Sequence, residues 1–137
     1  MGPLIRQIKR LRIYAYGDPT SDLPEIAKHH PEVEHLSLNV VVRQKHNELY
    51  IDQEFIDRVC SFPNLKSLAG DWDEICSAYT EIKSMPSLPK LEDLAGSFLA
   101  FMDDDNRFHF IEAAPKLKTV YFQLDYLKRM FTFPTGI

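Results

Sequence analysis

Apolar and polar positions along this chain alternate in short bursts that begin alike. Residues 31–38 read PEVEHLSL, 63–70 PNLKSLAG, 89–96 PKLEDLAG and 115–122 PKLKTVYF. A fifth burst, RQIKRLRI at 6–13, fits the same register without the proline. The starts at 6, 31, 63, 89 and 115 lie 25, 32, 26 and 26 residues apart, the mark of a chain built from stacked units. Within each burst the last two apolar positions alternate with polar ones, which predicts a half-buried strand. Proline cannot donate to a strand ladder, so it marks the turn that leads into the strand.

Between the strands the apolar spacing becomes helical. Residues 52–62 predict a helix capped by Asp52, with Phe55, Val59 and Phe62 on one face. Residues 104–114 carry a similar pattern, and 73–79 and 21–27 shorter ones, with Pro24 tolerated in a first turn. The second unit is about six residues longer than the others, and its extra stretch, 40–51, predicts an ordered loop. One strand and one helix per unit give an α/β solenoid of about five units, a curved parallel sheet forming one domain over residues 1–137.

The P-x-L-x-x-L phrase and its period resemble the leucine-rich repeat family, in its long and irregular strand–helix form, over about residues 6–124. Repeats of this form are similar to the substrate-binding regions of F-box proteins. The resemblance implies a protein-binding role in ubiquitin ligation, with a target held on the repeats and no catalysis by the chain itself. Gly70 and Gly96 depart from the phrase by standing at its third apolar position, and a large aromatic follows each two residues later, Trp72 and Phe98. Residues two apart on a strand share a face, so the rings are expected to fill the space that the glycines leave, buried and side by side.

The polar positions of each strand point away from the core and line one continuous concave face. In order these are Arg10, Arg12 and Tyr14; His35, Ser37 and Asn39; Ser67, Ala69 and Asp71. Asp93, Ala95 and Ser97 follow, and then Thr119, Tyr121 and Gln123. The face runs from basic through small and polar to acidic and ends on a tyrosine, a residue type enriched at interface hot spots. The expected partner is another protein.

Composition narrows the alternatives. The 137 residues carry a net charge of −4 and are 45% hydrophobic, enough for a core. No apolar run reaches the roughly eighteen residues of a membrane span, and no signal peptide opens the chain, so no membrane role and a cytoplasmic or nuclear location are expected. Cys60 and Cys76 read as buried, inert thiols. His29, His30 and His35 cluster with Glu32 and Glu34, but a helix end followed by a strand sends their side chains apart, so no metal is expected. Asp103, Asp104 and Asp105 lack the spacing and closing glutamate of a calcium loop and read as a turn that caps a helix. No nucleophile elbow, P-loop, dinucleotide fingerprint or zinc-protease motif occurs, and neither an enzyme nor a cofactor is expected.

Two alternatives stay open. Arg6, Lys9, Arg10 and Arg12 concentrate positive charge in the first strand, a basis for anionic-ligand or nucleic-acid binding, although the acidic chain makes nucleic acid the lesser expectation. Neither end of the stack carries a polar cap, which suggests a piece of a larger protein, or irregular ends that close the stack, or self-association through a terminal unit in an assembly role.

Overall fold

The computed structural model describes residues 7–41, 49–73, 77–80, 82–98 and 112–121. Among these residues seven strands and two helices follow one another: β1 (Arg10–Tyr16), α1 (Leu23–His29), β2 (His35–Val41), β3 (Leu49–Ile51), α2 (Gln53–Val59), β4 (Ser67–Asp71), β5 (Ser77–Tyr79), β6 (Asp93–Gly96) and β7 (Thr119–Tyr121). Five strands form one parallel sheet in the order β1-β2-β4-β6-β7, and β3 with β5 forms a second, two-stranded parallel ribbon. The architecture is α/β.

The register follows the phrase. Arg10 pairs with His35, His35 with Ser67, Ser67 with Asp93 and Asp93 with Thr119, each four residues beyond the start of its burst. The prolines act as the turn chemistry requires. In His30-Pro31, Phe62-Pro63, Leu88-Pro89 and Ala114-Pro115 the carbonyl before the proline accepts an amide from three residues on: Val33 at 3.3 Å, Leu65 at 3.4 Å, Leu91 at 3.3 Å and Leu117 at 3.1 Å. Proline suits the second position of such a turn because its φ is already set.

The turn delivers the next residue to the neighbouring strand. The carbonyl of Lys9 accepts both Glu34 and His35 amides at 2.8 and 3.0 Å, and that of Glu34 accepts Lys66 and Ser67 at 2.7 and 2.9 Å. Lys66 accepts Glu92 and Asp93 in the same way, and Glu92 accepts Lys118 and Thr119. The side chains at these positions alternate in sign. Glu34 lies 3.6 Å from Lys9 and 3.7 Å from Lys66, and Lys118 lies 3.3 Å from Glu92.

One core lies on one side of the sheet. It joins Leu36, Leu38 and Val40 of β2, Leu68 of β4 and Leu94 of β6 to Leu23 and Ala27 of α1 and to Phe55, Ile56 and Val59 of α2. Leu49 and Ile51 of β3 enter the same cluster. Burying each of these side chains larger than alanine contributes about 1.5–3 kcal/mol. Both helices start as their residues require. Asp52 caps α2, its carboxylate accepting the Phe55 amide at 2.9 Å, and Pro24 stands in the first turn of α1. Ahead of α1, Asp18 accepts both the amide and the hydroxyl of the buried Thr20.

Two local expectations change. Residues 77–79, expected within a short helix at 73–79, form strand β5 instead. So short an apolar run has no decisive period, and β3 offers it a backbone partner, with Leu49 against Ser77 and Ile51 against Tyr79. The stretch 40–51, expected as a loop, supplies the end of β2 and all of β3, while residues 42–48 lie outside the described residues. Of the helix expected at 104–114, only Glu112 and Ala113 are described as helical, and 104–111 lie outside the described residues.

Trp72 and Phe98 are neighbours, both buried, with ring centroids 4.9 Å apart and planes at 82°. A Cβ on Gly70 would stand 2.6 Å from the indole and 2.7 Å from the Phe98 ring. Gly96 has a different reason to be glycine. Its φ is +70°, and a Cβ there would overlap the Gly70 carbonyl oxygen.

Candidate functional site

The helices and the β3–β5 ribbon cover one face of the large sheet, and the alternation of each strand presents the other. Parallel sheets are ordinarily covered on both sides, which makes the open face the feature to explain. Its residues form rows across the strands. One row holds Arg10, His35, Ser67, Asp93 and Thr119, and the next holds Arg12, Ser37, Ala69, Ala95 and Tyr121. A third holds Tyr14, Asn39 and Asp71.

The rims stand out and the floor lies low. Tyr14 and Tyr121 are 67% and 57% exposed, and Arg10, Arg12 and Asp71 are exposed too. His35, Ser37, Asn39, Ser67, Asp93 and Thr119 are half-buried between their neighbours. An open depression of about 470 Å³ runs over β1, β2 and β4, and a second of about 330 Å³ runs from Ser37 and Asn39 to Tyr121. Ser37, Asn39 and Ala69 line both, so the two join into one shallow groove.

One expected member does not stand on this face, and another falls outside the described residues. Ser97 is buried, its hydroxyl accepting the Trp72 amide at 3.0 Å and donating to the Trp72 carbonyl at 3.3 Å. The strand ends at Gly96, whose left-handed φ turns the chain, and past that point the two-residue alternation no longer decides which way a side chain points. Gln123 lies outside the described residues.

One residue was missed. Tyr16, 62% exposed, continues the Arg10, Arg12, Tyr14 series by one more alternation, and its ring meets Tyr14 edge to face with centroids 6.1 Å apart. The signal was present in the spacing of two. The groove therefore has an aromatic pair at the β1 rim and a single tyrosine at the β7 rim.

His29 and His30 are engaged away from this face. His29 bonds Glu25 one helical turn away at 3.1 Å, and His30 Nδ1 faces Glu32 at 3.6 Å, while His35 stands on the open face. Glu32 also accepts the Ile8 amide at 3.1 Å. Among the described residues no three His, Cys, Asp or Glu side chains are placed to hold a metal ion. Cys60 is half-buried against the core, and burial, with the Asp57 carboxylate adding, pushes its thiol up to about 12. Cys76, Arg6 and Asp103–Asp105 lie outside the described residues. No described helix is long and apolar enough to cross a membrane. No family model, no curated protein and no solved structure matches the chain.

Proposed function

We propose that the chain is a non-enzymatic protein-binding module, a leucine-rich-repeat-like solenoid of about five strand–helix units that holds a partner protein on its concave sheet face. Target recognition within an F-box-like ubiquitin ligase component is the role its resemblance suggests. The observation that carries the reading is the open face itself: a parallel sheet uncovered on one side among the described residues, floored by Ser37, Ser67, Ala69 and Ala95 and rimmed by exposed tyrosines. Small floor residues let a partner's backbone come close, and tyrosine rims supply rigid area with a hydrogen-bonding tip. Support for the solenoid comes from the proline turn that recurs at four places and from the doubly accepting carbonyls that step from strand to strand.

The test is an affinity capture from cell extract with the intact chain and with an Arg12→Ala/Tyr14→Ala/Tyr121→Ala variant. The reading expects specific partners that the triple variant loses, and equal recovery by both would remove the face from consideration. Repeating the capture across a salt series separates the second reading. Binding of an anionic ligand or nucleic acid through Arg10 and Arg12 would weaken steeply with salt, whereas a contact centred on tyrosines would change little.

A further inference from the structure

The sheet carries two sets of charges that behave differently. At the strand starts Lys9, Glu34 and Lys66 pair with one another, as do Glu92 and Lys118. On the open face Arg10, Arg12, Asp71 and Asp93 form no ion pair among the described residues, although both signs are present. They are held apart by the floor. Arg10 and Asp93 share a row and are separated by His35 and Ser67, three strand steps, or about 14 Å at the usual strand spacing. Arg12 and Asp71 are two strand steps and one two-residue step apart, about 12 Å. In the structure the side chains bridge neither distance.

Resting on the protein-binding reading above, we infer that the groove takes an extended peptide segment of the partner that carries an acidic and a basic side chain four residues apart, the acid toward Arg10 and Arg12 and the base toward Asp71 and Asp93. The spacing follows from chain geometry. An extended peptide rises about 3.3 Å per residue, so 12–14 Å corresponds to about four residues. Positions four apart also project to the same side of an extended chain, as does the position between them. That middle position lies over Ser37, Ser67 and Ala69, whose small side chains leave the depression open to it. The tyrosine pair Tyr14–Tyr16 and the single Tyr121 then bracket the segment along the groove. A dipolar segment of this kind satisfies both unpaired ends at once, while a uniformly acidic or basic one meets repulsion at one end.

The probe is a display library of random twelve-residue peptides selected on the full chain, with the enriched sequences synthesised and titrated by fluorescence anisotropy. Enriched peptides should pair Asp or Glu with Lys or Arg at a separation of four. Arg12→Asp should weaken such a peptide at least tenfold, with an unchanged circular dichroism spectrum, and exchanging the peptide's acid for arginine should restore binding to that variant. No enrichment, enrichment without the charge pair, or a loss that the exchanged peptide does not restore would each overturn the inference. The wider reading is judged separately. Peptides that lack the pair but are lost in the Tyr14→Ala/Tyr121→Ala variant would sink the inference and keep the face as the binding surface. Peptides that lack the pair and are bound equally by that variant would count against both.

Discussion

The indole of Trp72 stands edge-on to the ring of Phe98, 4.9 Å between centroids, and both rings cover the bare Cα of Gly70. Phe55 of helix α2 closes the group, 5.6 Å from Trp72 and 6.4 Å from Phe98. The cluster therefore ties the segments just past two neighbouring strands to a helix, beside the Ser97–Trp72 hydrogen bonds that also hold them. The two glycines serve it differently. Gly70 leaves room for side chains, and Gly96 lets the backbone turn against the Gly70 carbonyl.

That difference orders two substitutions. Gly70→Ala drives a methyl group into two buried rings and should cost about 1–3 kcal/mol, as overpacking does. Gly96→Ala meets a left-handed φ, about 1–2 kcal/mol by itself, and in addition a carbonyl that cannot move without displacing β4. Urea unfolding, followed through the single tryptophan, should rank Gly96→Ala as the more damaging.

Helix α2 depends on its first residue. Asp52 satisfies the Phe55 amide, and Asp52→Ala should lower stability by about 1 kcal/mol, while Asp52→Ser or Asp52→Asn should recover most of it. Thermal unfolding of the three variants checks this. An equal loss in all three would mean that the cap contributes through something other than its oxygen.

Glu32 predicts an acid limb. Its carboxyl is held below the ordinary 4.5 by its own backbone amide first and then by the Ile8 amide; burial opposes them, and His30 adds a smaller lowering. A lowered folded-state value means that stability is present above about pH 4.5 and is lost as pH falls through the lowered value. The urea midpoint of the native sequence should fall between pH 5 and pH 3, and Glu32→Gln should flatten that fall.

Cys60 predicts the opposite limb. Its thiol is raised from 9.0 to about 12 by burial, so its contribution is full below about pH 9 and is lost as pH rises toward 12. In a Cys76→Ser background, Cys60 should react slowly with a disulfide reagent at pH 8 and quickly once urea is added. Fast labelling of the folded chain would contradict the burial described here.

The alternating charges at the strand starts are open to reversal. Glu34 lies between Lys9 and Lys66, and Glu34→Lys would place three lysines side by side. Partly exposed pairs contribute about 0.2–1 kcal/mol each, so a loss of about 1 kcal/mol is expected. It should shrink in high salt, because screening weakens the repulsion.

Much of this arrangement was legible in the chain, and the reasons are specific. The strand register could be read because proline, a buried leucine and an alternating pair recur with little variation, and each residue type has one structural use there. The Trp72–Phe98 contact followed from volume, a missing side chain beside an oversized one. Residues 77–79 were not legible, because three residues carry no usable period and their strand form depends on a partner 28 residues away, Leu49. Ser97 was misplaced because a single left-handed φ at Gly96 ends the alternation, and glycine alone does not announce its sign of φ. The open face was legible as a row of polar positions. Its groove was not, since depth depends on how far Tyr14 and Tyr121 rise above their neighbours.

The step from Glu34 to Lys66 spans 32 residues, and the step from Lys66 to Glu92 spans 26, yet each ends in the same pair of hydrogen bonds on one carbonyl. Strand pairing is thus indifferent to how much chain lies between two strands. The longer of the two steps, from Glu34 to Lys66, is accordingly the place where this protein tolerates growth. A guest segment inserted there, an epitope or a second binding loop, should leave the sheet and its open face as they are, so the domain can change what surrounds its groove without rebuilding it.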